Sequence, residues 1–201
     1  MFQLISLVII YGVMMFIWTF VFLNRSHDKV NQAFLLFLSN ILVWMVLNNL
    51  DEFSDGTIVS LGTKTVYWLS MMYLSITFLY FIYRLLNRKI DWLFYTALIL
   101  NTLTVVVRYL YPMDYSDPTF WRLTDPVVAP LMATTFSLPA IYAFVLVLKQ
   151  MIQTKDARLR AQLGYIFFGI GLALVVSVIS EYLLPTVFHV TEKLYLMHSA
   201  I

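Results

Sequence analysis

Among the ionisable side chains within or at the rims of long apolar stretches are Asp51, Glu52, Arg108 and Glu181. An unpaired charge in apolar surroundings is costly, so such groups pair, hydrogen-bond or mark a functional site. Their neighbours recur at helical spacing. Asn40, Trp44, Asn48 and Glu52 follow one another at i,i+4, with Asp51 alongside. Asn101, Thr104 and Arg108 are spaced i,i+3 and i,i+4, and Gly169, Ala173, Ser177 and Glu181 are spaced strictly i,i+4. Tyr73, Thr77 and Tyr80 make a fourth set. On a helix each set occupies one face. The chemistry on offer is recognition. Arg108 can pair with Glu181, or with Asp51 and Glu52, and the cluster can hold a polar ligand group. The expected sensing or ligand-binding set is therefore Arg108, Glu181, Asp51, Glu52, Asn48, Trp44, Asn101 and Ser177.

Plainer roles compete for the same residues. Charges near helix ends can snorkel to headgroups. The Gly169–Ser177 ridge suits close helix packing, and Asn40 and Asn48 suit interhelical hydrogen bonds. Trp44 suits filling of a bundle interior. Pro130 and Pro139 would free backbone carbonyls in their helix and could kink it.

Catalytic patterns are missing. There is no Gly-rich phosphate loop, no His-Glu-x-x-His and no Gly-x-Ser-x-Gly. Cysteine is absent, which excludes thiolate chemistry and disulfides. His27, His189 and His198 form no metal-ligand cluster. Ser26-His27-Asp28-Lys29 faintly echoes a phospho-acceptor box, but it sits on a short loop without the helix that such a box requires. No enzyme activity, metal or cofactor is expected of these residues. No nucleic-acid partner is expected either, because the basic residues flank apolar stretches.

The elements that must position these side chains follow from composition. Of 201 residues, 61% are hydrophobic and only 12% charged, with a mean hydropathy of +0.82. A water-soluble domain carries about a quarter charged residues, so the expected solvent is lipid. Six stretches approach the ~20 residues that a helix needs to cross a bilayer: 2–23, 31–50, 65–86, 92–109, 127–148 and 162–184. Lipid offers no partner to an open strand, so helices are expected. The first stretch lacks a basic leader and a small-residue cleavage site, and reads as a retained helix rather than a signal peptide.

Charge orients the bundle. The loops after the first, third and fifth stretches hold Arg25, Lys29, Arg84, Arg88, Lys89, Lys149, Lys155, Arg158 and Arg160, against Asp28, Asp91 and Asp156, for a net of +6. The remaining segments net −4. Positive charge is retained on the cytoplasmic side, which puts the N-terminus outside. Interfacial aromatics are expected at both rims, with Tyr67, Trp68, Tyr109, Tyr111, Trp121 and Tyr182 outside and Tyr83, Trp92 and Tyr165 inside. The segment 185–201 is apolar but short, and reads as an outer tail or the start of a truncated seventh span. The expectation is an all-α polytopic transmembrane helix bundle forming one domain over 1–201.

Three junctions then resemble a known family. Val30-Asn31-Gln32-Ala33-Phe34 follows a short basic loop and leads to Trp44. Arg160-Ala161-Gln162-Leu163-Gly164-Tyr165 precedes Gly169. Leu183-Leu184-Pro185 closes the sixth stretch. Together these resemble the N-terminal seven-transmembrane sensory region of bacterial sensor histidine kinases. The chain departs from that pattern in lacking a proline in the middle of the third helix and a complete seventh helix. The resemblance implies a receptor input module in the bacterial inner membrane. Its partners would be the lipid bilayer, an unidentified extracellular or membrane ligand, and a second copy in a homodimer, with a cytoplasmic output beyond residue 201. A small transporter or membrane-integral enzyme is the alternative. Transport predicts repeats and a midplane site, and an embedded enzyme predicts a reactive constellation at depth; neither is legible.

Overall fold

The computed structural model describes residues 2–25, 27–53, 61–110 and 128–178. These form six α-helices: α1 Phe2–Arg25, α2 Lys29–Phe53, α3 Leu61–Leu85, α4 Trp92–Leu110, α5 Val128–Gln153 and α6 Ala157–Val178. No strand occurs among the described residues. Each helix overlies one of the six apolar stretches. α6 starts five residues before its expected span, and residues 179–184 of that span lie outside the described residues, as does the tail 185–201.

The three even-numbered helices begin the same way. An aspartate just ahead of each accepts from the exposed backbone N–H groups of the first turn. Asp28 Oδ1 accepts from Val30 N at 3.1 Å, Asp91 Oδ1 from Phe94 N at 3.2 Å, and Asp156 Oδ1 from Arg158 N at 2.9 Å. These donors have no intrahelical acceptor, and a carboxylate also suits the positive end of the helix dipole. Asp28, the acid of the Ser-His-Asp-Lys stretch, is thus a helix cap. The end of α3 is equally defined. Arg88 N donates to Tyr83 O at 2.9 Å and Asn87 N to Arg84 O at 3.1 Å, with Asn87 at φ 50°. That is a Schellman closure with asparagine in the left-handed region, the residue type other than glycine that tolerates it best.

Contacts among the described residues fall into two groups, one drawn from 21–143 and one from 2–20 with 144–178. In the first, α2 and α3 interlock through rings. Phe34 meets Phe81 at 5.5 Å between centroids, and Phe37 meets Phe78 at 5.4 Å. Ala33, Leu79 and Ile82, on the same helices, are buried. α4 joins α3 through Phe94, which lies edge-on to Tyr83 at 6.0 Å. In the second group α5 and α6 pack through Phe144 and Phe167, edge to face at 5.9 Å, over buried Val147 and Leu163.

The described helices expose much apolar surface, and several polar side chains lie among the buried apolar ones. Ser70, Ser75, Asn101, Thr104 and Thr135 are buried, while Phe16, Trp92, Ile99, Leu138 and Phe168 stand exposed. Two segments, Lys29–Leu47 and Thr134–Gln153, are long and apolar enough to cross a membrane. Shorter apolar stretches occupy Val8–Asn24, Leu69–Leu85 and Trp92–Val107.

Two expectations are corrected. Tyr83 is fully buried, not part of an interfacial belt, because the short α3–α4 turn folds its hydroxyl toward Asp91; Trp92 and Tyr165 are exposed as expected. Gly169 makes no close approach to another helix among the described residues, because it is exposed and a Cβ placed on it would meet nothing within 4 Å.

Candidate functional site

Polar side chains join the helices of the first contact group pair by pair. Between α2 and α3, Asn40 Nδ2 donates to Thr77 Oγ1 at 3.3 Å, and that hydroxyl donates on to Leu74 O at 3.0 Å. Between α3 and α4, the Tyr73 and Thr102 hydroxyls meet at 2.7 Å. Tyr80 faces Arg84, which donates Nε–H to the phenol oxygen at 3.1 Å and lies 5.0 Å from the ring centre.

The most closed of these ties links α4 to α5, and a proline explains it. Pro139 lies inside α5 and carries no N–H, so Thr135 O, four residues earlier, loses its intrahelical donor. Asn101 supplies a replacement from α4: Nδ2 donates to Thr135 O at 3.1 Å. Because the partner is a carbonyl, only the amide nitrogen can face it. Asn101 is 0% exposed, and its Oδ1 has no partner. Thr104, one turn along, donates to Leu100 O at 2.8 Å, and its hydroxyl lies 3.4 Å from that of Thr135. Pro130, by contrast, sits in the first turn of α5, where an N–H has no intrahelical acceptor to lose.

A second tie lies on the other side of Pro139. Tyr142 donates its hydroxyl to Asp91 Oδ2 at 3.3 Å, while Asp91 Oδ1 caps α4. Burial by itself pushes the Asp91 carboxyl up, but the polar hydrogens turned toward it, from the Tyr83 and Tyr142 hydroxyls and the Phe94 and Leu93 backbone N–H groups, outweigh burial and hold the group below the usual aspartate value. The Tyr83 hydroxyl faces this pair without reaching good hydrogen-bond geometry with either member. The two ties bracket Pro139 at positions 135 and 142, so α5 cannot change direction at the proline without breaking one of them.

Of the residues singled out from sequence, Asn101 is placed at the centre of this arrangement. Trp44 is half-buried, with a buried Nε1–H that finds no acceptor. Asn48, Asp51 and Glu52 lie on the last two turns of α2, Arg108 on the last turn of α4 and Ser177 on α6; their side chains, and Glu181 entirely, lie outside the described residues. The Arg108 pairing with Glu181, Asp51 or Glu52 therefore lies outside them too. Reading the sequence missed Thr135, Tyr142 and Asp91. The signals were present: a residue four before an in-helix proline has a freed carbonyl, and an aspartate directly before an apolar run reads as a cap.

No group of three His, Asp or Glu that could hold a metal occurs among the described residues, and the buried hydroxyls have no adjacent base except the capping Asp91. What the site can do is hold helices in one hydrogen-bonded arrangement with acceptor capacity to spare. Against known protein families, curated proteins and solved structures, the chain has no match.

Proposed function

We propose that this chain is the membrane-embedded sensory input module of a bacterial signal-transduction histidine kinase. It crosses the inner membrane six times within the residues given, with its N-terminus outside, and acts as a homodimer. A stimulus at the outer face or within the bilayer biases the helix packing, and the bias passes to a cytoplasmic output. Multi-pass insertion is supported by the large apolar side chains exposed on the helices and by the +6 and −4 division of loop charge.

The observation that carries the receptor reading is the proline of α5 bracketed by two polar ties to α4 and its cap. A sensor needs an element with two arrangements whose balance a stimulus can tip. Intramembrane hydrogen bonds are individually weak, on average about 0.6 kcal/mol. Breaking one at Pro139 therefore costs little enough for a ligand to decide the outcome. The outer charges Arg108, Glu181, Asp51 and Glu52, with Asn48, Trp44 and Ser177, remain the proposed stimulus-facing set.

Autophosphorylation of the kinase carrying this module tests the reading. Asn101→Leu is expected to shift basal phosphorylation several-fold, because it unties one side of the hinge. Asp28→Ala, which lowers stability through the cap of α2 without touching either tie at Pro139, serves as the comparison. Equal output from both variants and the parent would contradict the reading.

A further inference from the structure

The α5–α6 junction carries more positive charge than the described residues of its contact group balance. Lys149, Lys155, Arg158 and Arg160 are exposed on the end of α5, on the three-residue connection and on the first turn of α6. Asp156 is the one carboxylate among the described residues of this contact group. Its Oδ1 is occupied by the backbone N–H groups of Arg158 and Leu159 at 2.9 and 3.3 Å. Arg160 is partly committed as well, donating to Thr154 O at 2.6 Å. Lys149, Lys155 and Arg158 remain turned to the surroundings.

The face above Arg158 is apolar. Counting up α6 by alternating steps of three and four from Arg158 gives Ala161, Tyr165, Phe168 and Leu172, which share one stripe. Tyr165 is 82% exposed, Phe168 70% and Leu172 67%. Arg158 to Leu172 spans roughly 21 Å along the axis at 1.5 Å per residue. One surface thus offers cations at its foot, a phenol one level up and an apolar strip beyond. That order matches an amphiphile with an anionic head, and neither a free anion nor a neutral lipid uses all of it.

We propose that the α5–α6 junction is a binding site for an anionic phospholipid of the inner leaflet. The phosphate lies against Lys155 and Arg158, with Lys149 beside them, and an acyl chain runs along Tyr165, Phe168 and Leu172. The proposal rests on the membrane-spanning reading above. It goes beyond the retention of positive charge inside, which requires no particular lipid at any particular loop.

Native mass spectrometry of the detergent-purified chain tests it, with added phosphatidylglycerol or phosphatidylcholine of identical acyl chains. Phosphatidylglycerol is expected to be retained in preference, and Lys155→Gln and Arg158→Gln each to lower that preference about fivefold. Arg158→Lys should keep most of it, and Phe168→Ala should weaken retention of either lipid. Arg88→Gln with Lys89→Gln, on the α3–α4 turn, should leave the preference standing. Unchanged helix content by circular dichroism establishes that each variant is folded. Equal retention of both lipids would overturn the proposal, as would full displacement by millimolar inorganic phosphate, an unaltered preference in the Lys155 and Arg158 variants, or equal loss in the Arg88 and Lys89 pair. A chain that stays monodisperse in buffer without detergent would instead overturn the membrane reading beneath it.

Discussion

At the scale of single residues, the account turns on which groups replace hydrogen bonds that the backbone gives up. Thr135 O is the clearest case, since its donor is removed by Pro139 and restored by Asn101. Removing Asn101 leaves a buried carbonyl unsatisfied, a loss of about 1 kcal/mol or somewhat more. Substituting Pro139 by alanine brings back the missing N–H and makes the Asn101 bond dispensable. Asn101→Leu should therefore destabilise the parent more than it destabilises a Pro139→Ala background, a coupling readable by thermal unfolding in detergent as a double-mutant cycle. Additive effects would mean the amide does not serve that carbonyl. Asp91 gives a second prediction, with its sign fixed. Its carboxyl is held below the ordinary value, so its contribution is present above the unfolded pKa and is lost as pH falls through the folded one. The parent should lose stability on acidification below about pH 4 more steeply than Asp91→Asn does. Parallel acid limbs for the two proteins would contradict the assignment.

At the scale of elements, the helices were legible from apolar length, and the starts of α2, α4 and α6 were legible in principle from aspartates ahead of apolar runs. In the sequence Asp28, Asp91 and Asp156 stand out as loop charges, Asp28 also within the Ser-His-Asp-Lys stretch. They are also the caps of α2, α4 and α6, which accounts for acids persisting in otherwise basic loops. Asp156→Ala is expected to cost about 1 kcal/mol, measured by thermal unfolding, whereas His27→Gln, beside the cap of α2, should change stability little. Other features were less accessible. Spacing put Asn101 on a face with Thr104, but sequence alone does not say which helix that face meets. Their partner is Thr135, 34 residues from Asn101. The burial of Tyr83 was hidden because a tyrosine near a helix end fits an interfacial belt equally well; the Asn87 turn decided otherwise. Gly169 was misjudged for a related reason, since small residues permit close approach without requiring it.

At the scale of the molecule, the proposed architecture follows from three facts that point the same way. Large apolar side chains face outward on the described helices, hydrogen-bonding side chains join helices inside, and loop charge alternates in sign along the chain. Water would penalise the first arrangement and lipid favours it. The absence of native cysteine makes the central claim directly measurable by introducing single cysteines and labelling intact cells with a membrane-impermeant maleimide. Ser116, in the connection between α4 and α5, should label without permeabilisation. Lys89 and Lys155, on the α3–α4 and α5–α6 turns, should label only after it. Labelling of all three positions in intact cells, or of Ser116 only after permeabilisation, would contradict the six-span arrangement with its N-terminus outside.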